Sequence, residues 1–449
     1  MIQGLFPTFE DEVRSSFQLD NDLFEKYDVK RGLRNKDGTG VLVGLTNVGD
    51  VVGYKKEDGK VIPIPGKLLY RGIDIEDLIS GFQKEGRHGF DETVFLLLSG
   101  RLPNKDELLE FTNYMASQRS LPDDFTKDMI LSMKGKDVLN ILSRSVLGLY
   151  TLDEQPDDIS LVNMLTQSIN LISKFPTIVA YSYQALRHLY KGKTLSIRHP
   201  HKNLTTAENL LYLLKGSGYS KLEADLLDLL LILHAEHGGG NNSTFTMRVT
   251  SSSETDVYSS ITAAIGSLKG PLHGGANIKM LDMMENIKAN VKNWKDEVEV
   301  ENYLLKILNK EANDFSGKIY GVGHAVYTIS DPRAIILKKK ARELALEKGR
   351  IKEFELYESV ERLTPKVLRI FKGENFTKTV CINVDFYSGF VYNCLGISRE
   401  LYTPIFAVSR AAGWCTHRME ELTFAAKRII RPAFKNAMGV QAYIPLDKR

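Results

Sequence analysis

The feature that most limits how this chain can fold is a run of segments that are apolar on nearly every helical face. VLNILSRSVLGLYTL, LVNMLTQSINLISKFPTIVAYSYQALRHLY, TTAENLLYLLKG and LLDLLLILH follow one another between residues 138 and 234. A helix with so little polar surface persists in water only when other helices surround it. These residues therefore predict a layered, all-α core. Pro176, inside the second segment, is expected to kink or split its helix, because it removes a backbone donor and crowds the preceding turn. Boundary residues agree with the helical reading: Asp74 and Asn104 are placed as N-caps and Gly100 as a C-terminal stop. Strand signals are confined to VLVGLTNVGDVVGYKKEDGKVIPIPGKLLYRG, where β-branched runs flank Asp58-Gly59, a hairpin turn dipeptide. That stretch reads as a small antiparallel decoration near the N-terminus. Residues 1–40 read as one amphipathic helical segment and a polar stretch.

After Asn277 the helical segments become charged and one-sided, as in IKMLDMMENIKANVKNWKDEVEVENYLLKILNK, and apolar character returns at NVDFYSGFVYNCLGI. The expectation is a large helical domain of residues 1–276 and 389–449 and a smaller one of residues 277–388 inserted into it. Asp331-Pro332 and Thr403-Pro404 each supply a capping residue followed by an N1 proline.

Lys and Arg total 59 against 56 Asp and Glu, a balance that offers no basic surface for nucleic acid or membrane. Three cysteines in 449 residues, none in a CxxC pair, fit a reducing compartment. The N-terminus lacks a basic region followed by an apolar core, and Glu10, Asp11 and Glu12 argue against a transit peptide. The most apolar run is far too short to span a bilayer and contains Asp228. The expected location is the cytoplasm.

Chemistry concentrates where histidines meet glycines. His234 and His237 share a helical spacing and are open to three readings: a metal pair, an anion-binding imidazole at a helix end, or core histidines. At a helix C-terminus the dipole favours a protonated His237 facing an anion. His273, in PLHGGAN, precedes a helix, where the dipole keeps the ring neutral and able to donate to a carbonyl. GVGHAVYTISDPRA sets His324 between flexible backbone and Arg333, a cation at a helix start, where it calls for an anion. Asp385, between Val384 and Phe386, is either an N-cap or a base whose pKa its apolar neighbours raise. Arg410, on an apolar helix, needs a carboxylate or phosphate partner, and either it or Arg431, before Pro432, taken alone reads as a structural ion pair.

The order HAEHGGGN, GPLHGGAN, GVGHAVYxxxDPR, NVDFYSG, SRAAG and RPxF resembles the citrate synthase family, including its 2-methylcitrate synthase relatives. The resemblance runs from about Pro65 to near the C-terminus and takes in PGKLLYRGIDIEDL and KFPTIVAYSY. It implies a two-domain helical homodimer that closes over acetyl-CoA and oxaloacetate. Three catalytic residues are implied: His273 holds the thioester carbonyl, Asp385 removes a methyl proton, and His324 polarises the keto group. His237, Asn241, Arg333, Arg410 and Arg431 would bind oxaloacetate, Arg431 reaching in from the partner. Coenzyme A would meet Gly321, Val322, Gly323 and Lys378, with Lys338–Lys340 as further candidates. Thr328 stands where some relatives carry a basic residue for coenzyme A. The thioester is a co-substrate; no permanently bound cofactor and no metal are implied. The alternatives are a 2-methylcitrate synthase using propionyl-CoA and, in another class, a metal-dependent hydrolase built on His234 and His237. A binding module without turnover is the third.

Overall fold

The computed structural model describes residues 9–58, 60–373, 376 and 379–448. It is helical in 59% of residues and strand in 6%. Two compact units are distinguished, one containing the described residues up to Leu45 and from Ile430 on, the other Thr46–Ile429. In the first, α1 (Phe9–Ser16) and α2 (Asp22–Lys26) stand where one helix was expected, and the Asp20 carboxylate accepts from the Asp22 N–H at the start of α2. The Lys435 ammonium lies 5.4 Å from the Tyr27 ring centroid.

In the second unit β1 (Gly49–Glu57) and β2 (Lys60–Tyr70) pair antiparallel and β3 (Ile73–Asp74) adds to β2, giving the order β1-β2-β3. Asp58 adopts the left-handed conformation at the turn; Gly59 lies outside the described residues. Helices then follow almost without interruption: α3 (Ile75–Lys84), α4 (Phe90–Ser99), α5 (Lys105–Ser117), α6 (Val138–Leu149) and α7 (Leu161–Lys191). Next come α8 (Thr206–Lys215), α9 (Lys221–His234), α10 (Asn242–Ser251), α11 (Val257–Lys269), α12 (Ala276–Asn290) and α13 (Glu297–Leu308). The last are α14 (Pro332–Glu347), α15 (Ile351–Lys372), α16 (Asp385–Cys394) and α17 (Tyr402–Thr423).

Local chemistry sets the helix starts. Asp74 caps α3, and reciprocal capping boxes at Asn104/Glu107, Thr205/Glu208 and Ser220/Glu223 satisfy donors that α5, α8 and α9 would otherwise leave open. Gly100 ends α4 at φ 83°. Thr403 does not cap: α17 begins at Tyr402, and the Thr403 hydroxyl donates instead to the Gly274 carbonyl at 2.8 Å. Pro176 does not split its helix, since α7 runs through it for 31 residues. The packing of α6, α8 and α17 around α7 outweighs an interior proline's cost of about 3 kcal/mol.

The apolar segments became the centre of the molecule. Every residue of α9 from Leu226 to His234 is buried, each leucine contributing about 1.5–3 kcal/mol. Helices α8 and α9 pack together, and α9 packs on α17, whose Trp414, Arg410 and Arg418 are also buried. No helix among the described residues is long and apolar enough to cross a membrane.

Candidate active site

Three loops carry the expected histidines, and three helices, α14, α16 and α17, carry Arg333, Asp385 and Arg410. The first loop leaves α9 at His234, so His237 stands three residues past the helix end rather than on it. His237 is buried, and its Nε2 has no hydrogen-bond partner among the described residues. Burial, Arg333, His324 and Arg410 hold its imidazole well below the ordinary range. The protonated ring expected from the helix dipole is therefore replaced by a neutral one, because desolvation and two guanidinium groups outweigh a helix end that is not in contact.

The second loop carries His273. Its Nε2 lies 3.0 Å from the Ser243 hydroxyl, which also receives the Trp414 indole N–H at 3.2 Å and lies 2.9 Å from Asn241 Oδ1. Burial and Arg410 push the His273 pKa down to about 4, so the ring is neutral at physiological pH. The expected state is present, but desolvation and Arg410 lead its causes. Gly274 permits the turn, because a Cβ there would meet Thr403 Cγ2 and the Leu268 carbonyl.

The third loop is zipped to the segment ahead of α16. Val322 bridges Ile382, the Gly323 N–H donates to the Cys381 carbonyl at 2.8 Å, and the Asn383 N–H donates to the Gly321 carbonyl at 2.9 Å. Gly321 and Gly323 have φ of 72° and 89°, a conformation in which a side chain is strained. The Asn383 side chain spans the seam: its amide donates to the Gly323 carbonyl at 3.1 Å and its oxygen accepts from the Asp385 N–H at 3.0 Å. One side chain thus indexes the His324 loop to the first residue of α16.

His324 has its tautomer decided by backbone. The N–H groups of Val326 and Tyr327 both donate to its Nδ1 at 3.0 Å, so a neutral ring carries its proton on Nε2. The ring stacks on Tyr327 at 4.6 Å between centroids and meets His237 edge-on at 5.1 Å. Asp385 is half-buried and does not cap α16. Desolvation pushes its pKa up to about 6, against the opposing pull of Arg333 and Arg410.

The two candidate arginines in this unit, Arg333 and Arg410, are buried and differently satisfied. Arg333 forms a two-point pair with Asp331, at 3.1 Å through Nε and 2.8 Å through Nη2. That carboxylate supplies the anion which a cation at a helix start required. Arg410 donates from Nε to the His234 carbonyl at 2.6 Å, and neither of its terminal nitrogens has a partner among the described residues. Burial brings Arg410 down to about 10, still cationic. A buried cation with open donors, a buried neutral imidazole and a second guanidinium are groups that can receive a small anion. Arg431 is exposed and belongs to the other unit. Asn241 lies beside Ser243. Lys378 lies outside the described residues; Lys338 and Lys340 pair with Glu361 and Glu343 at 2.8 and 2.7 Å.

His234 is buried against Phe406, and neither ring nitrogen has a hydrogen-bond partner among the described residues. Among the described residues no group of three or more His, Cys, Asp or Glu is placed to hold a metal ion. The sequence reading missed three residues here, Ser243, Asn383 and Glu236, and read Asp331 only as the helix cap that it is, not as the partner of the Arg333 guanidinium. Glu236, inside HAEHGGGN, is fully buried; its Oε1 accepts from His417 Nε2 at 2.9 Å and from the Gly238 N–H. Burial opposes its ionisation, yet His417 and Arg410 hold the carboxyl below its usual range. The only advance signal was a carboxylate wedged between two histidines.

A family model described as "Citrate synthase, C-terminal domain" matches residues 37–433. The citrate synthase of Deinococcus radiodurans is 36% identical over 82% of this chain and 88% of its own length. The 2-methylcitrate synthase of Shewanella oneidensis is 31% identical over 85% of this chain and 92% of its own. Among solved structures, the ternary complex of carboxymethyl coenzyme A and oxaloacetate with the citrate synthase of Thermoplasma acidophilum superposes with a TM-score of 0.75. It is 25% identical, covering 94% of this chain and 99% of that one.

Proposed function

Because the chain belongs to the citrate synthase family of condensing enzymes, we propose that it joins the acetyl group of acetyl-CoA to oxaloacetate and hydrolyses the thioester, releasing citrate and coenzyme A. The observation that carries this reading is the seam built by Asn383, which ties the backbone of Asp385, a desolvated carboxyl, to the loop of a histidine whose neutral ring is protonated on Nε2. A thioester α-proton is weakly acidic, so removing it needs a base acting together with a donor to the forming enolate oxygen. Asp385 takes the proton. His273, neutral, donates a hydrogen bond to the enolate oxygen. The nucleophilic carbon attacks the keto carbon, and the His324 Nε2–H protects and protonates the new alkoxide. Water then cleaves the citryl thioester.

Arg333, Arg410, His237 and Asn241 bind the two carboxylates of oxaloacetate, with Arg431 contributed by the partner of a homodimer. Residues 277–388 form the smaller domain, bringing His324, Arg333 and Asp385 toward His237, His273 and Arg410 of the larger one, formed by 1–276 and 389–449. Coenzyme A follows Gly321, Val322 and Gly323. We place the enzyme in the cytoplasm. Thiol release from acetyl-CoA that depends on oxaloacetate tests the reaction; its absence in pure, folded protein would overturn it. The 31% identity to a 2-methylcitrate synthase supports a second reading. Comparing kcat/KM for acetyl-CoA and propionyl-CoA separates the two, since one methylene is worth about 10–200-fold in a fitted pocket.

A further inference from the structure

We propose that the β1–β2 hairpin is a positioning element for His324, gripping the loop from His324 to Ser330 through close contacts that only glycine at 53 and 66 permits. The proposal rests on the reading of His324 as donor to the keto oxygen. The hairpin ladder is broken where it meets that loop. Val52 pairs with Lys67 and Tyr54 with Pro63, so Gly53 alone faces Ile64, Pro65 and Gly66. Pro65 has no N–H to give the ladder, and the Gly66 N–H leaves it to donate to the Ser330 hydroxyl at 3.1 Å. On the other strand, a Cβ at Gly53 would stand 2.5 Å from the Val326 carbonyl oxygen and 3.0 Å from Tyr327 Cα. A Cβ at Gly66 would overlap the Ser330 carbonyl and stand 2.7 Å from the Tyr327 ring. The Tyr327 hydroxyl completes the grip by donating to the Lys67 carbonyl at 3.3 Å.

Val326 and Tyr327 are the two residues whose N–H groups decide the His324 tautomer, and Tyr327 is the ring on which His324 stacks. Two rigid strands of backbone therefore press on the residues that aim the imidazole. A methyl group between them must shift the loop, and a misplacement of about 1 Å can cost about a hundredfold in rate.

The test compares Gly53→Ala and Gly66→Ala with Ser330→Ala and Tyr327→Phe, which remove bonds without adding bulk and keep the test open if an alanine variant does not fold. Each is measured for kcat and both KM values per folded molecule, and for the carbonyl stretch of bound oxaloacetate. In the glycine variants kcat is expected to fall about ten- to a hundredfold, with KM for acetyl-CoA within about threefold. The bound carbonyl stretch should return toward its solution frequency, a change that mere loss of stability does not produce. The bond-removing variants should show the same pattern at about threefold. Wild-type kcat and carbonyl stretch in every variant that folds would overturn the proposal while leaving the condensation reading intact. If the wild-type protein does not condense these substrates, that reading falls instead. The ¹⁵N shift of His324 then still decides the grip: an unprotonated Nδ1 in the wild type that is lost in the variants supports it, and an unchanged pattern refutes it.

Discussion

Asp385 spends its time half-buried at the start of a helix it does not cap, and its pKa of about 6 states the cost of holding it there. An ordinary aspartate titrates near 4, so the native state binds an extra proton between about pH 4 and 6. Stability contributed by this group is present at low pH and falls as pH rises through that window. Two outcomes follow from the same carboxyl. The kcat/KM for acetyl-CoA should rise with pH around a midpoint near 6, since only the carboxylate is a base. Asp385→Asn should lower thiol release by at least about 10²-fold, yet melt higher than wild type at pH 8 and match it at pH 4. A variant that is inactive and also less stable at pH 8 would show a structural carboxylate instead. Arg410→Lys tests the anion receptor: losing two open guanidinium donors should raise KM for oxaloacetate by about ten- to a hundredfold. An unchanged KM would remove Arg410 from the receptor. His237, His273 and His324 stood out in the sequence because each adjoins a glycine, whereas the arginines and Asp385 stood out through the order of the family's motifs. Ser243, Asn383 and Glu236 did not, because their roles exist only once distant segments meet; Glu236 finds His417 181 residues later.

At the scale of elements, the helices were legible for local reasons and the contacts between them were not. Capping residues and apolar faces announced α3, α5, α9 and α14, whereas nothing within the hairpin announced that it presses on the His324 loop. Pro176 does not divide α7 for the same reason, since what holds the helix continuous through it is the packing of other helices. The crossing of α17 behind the first loop yields a prediction of its own. A Cβ at Gly413 would stand 2.5 Å from the Ala235 carbonyl and overlap the Glu236 carboxylate, and the Gly413 N–H already donates to that carbonyl at 3.2 Å. Gly413→Ala should therefore destabilise the fold by about 1–3 kcal/mol, the usual cost of forced overpacking. Urea unfolding at pH 7 measures this; a midpoint within error of wild type would mean that α17 and the loop separate freely.

Arg431 raises the question of what the functional molecule is. It sits in the unit formed by the chain's two ends, while His324, Asp385 and Arg410 sit in the other. If Arg431 completes the site of a partner, Arg431→Ala and Asp385→Asn damage different halves of a shared site. A dimer of one chain of each then holds one site with both residues intact and one with neither. Random pairing of co-expressed variants makes half the dimers mixed, so about a quarter of all sites should be active, although each variant alone is nearly inert. Separately purified variants that are mixed without subunit exchange should show no recovery, which separates shared sites from residual activity. Recovery absent in the co-expressed pair, with mixed dimers verified by differential tagging, would place Arg431 in its own chain's site or outside the chemistry.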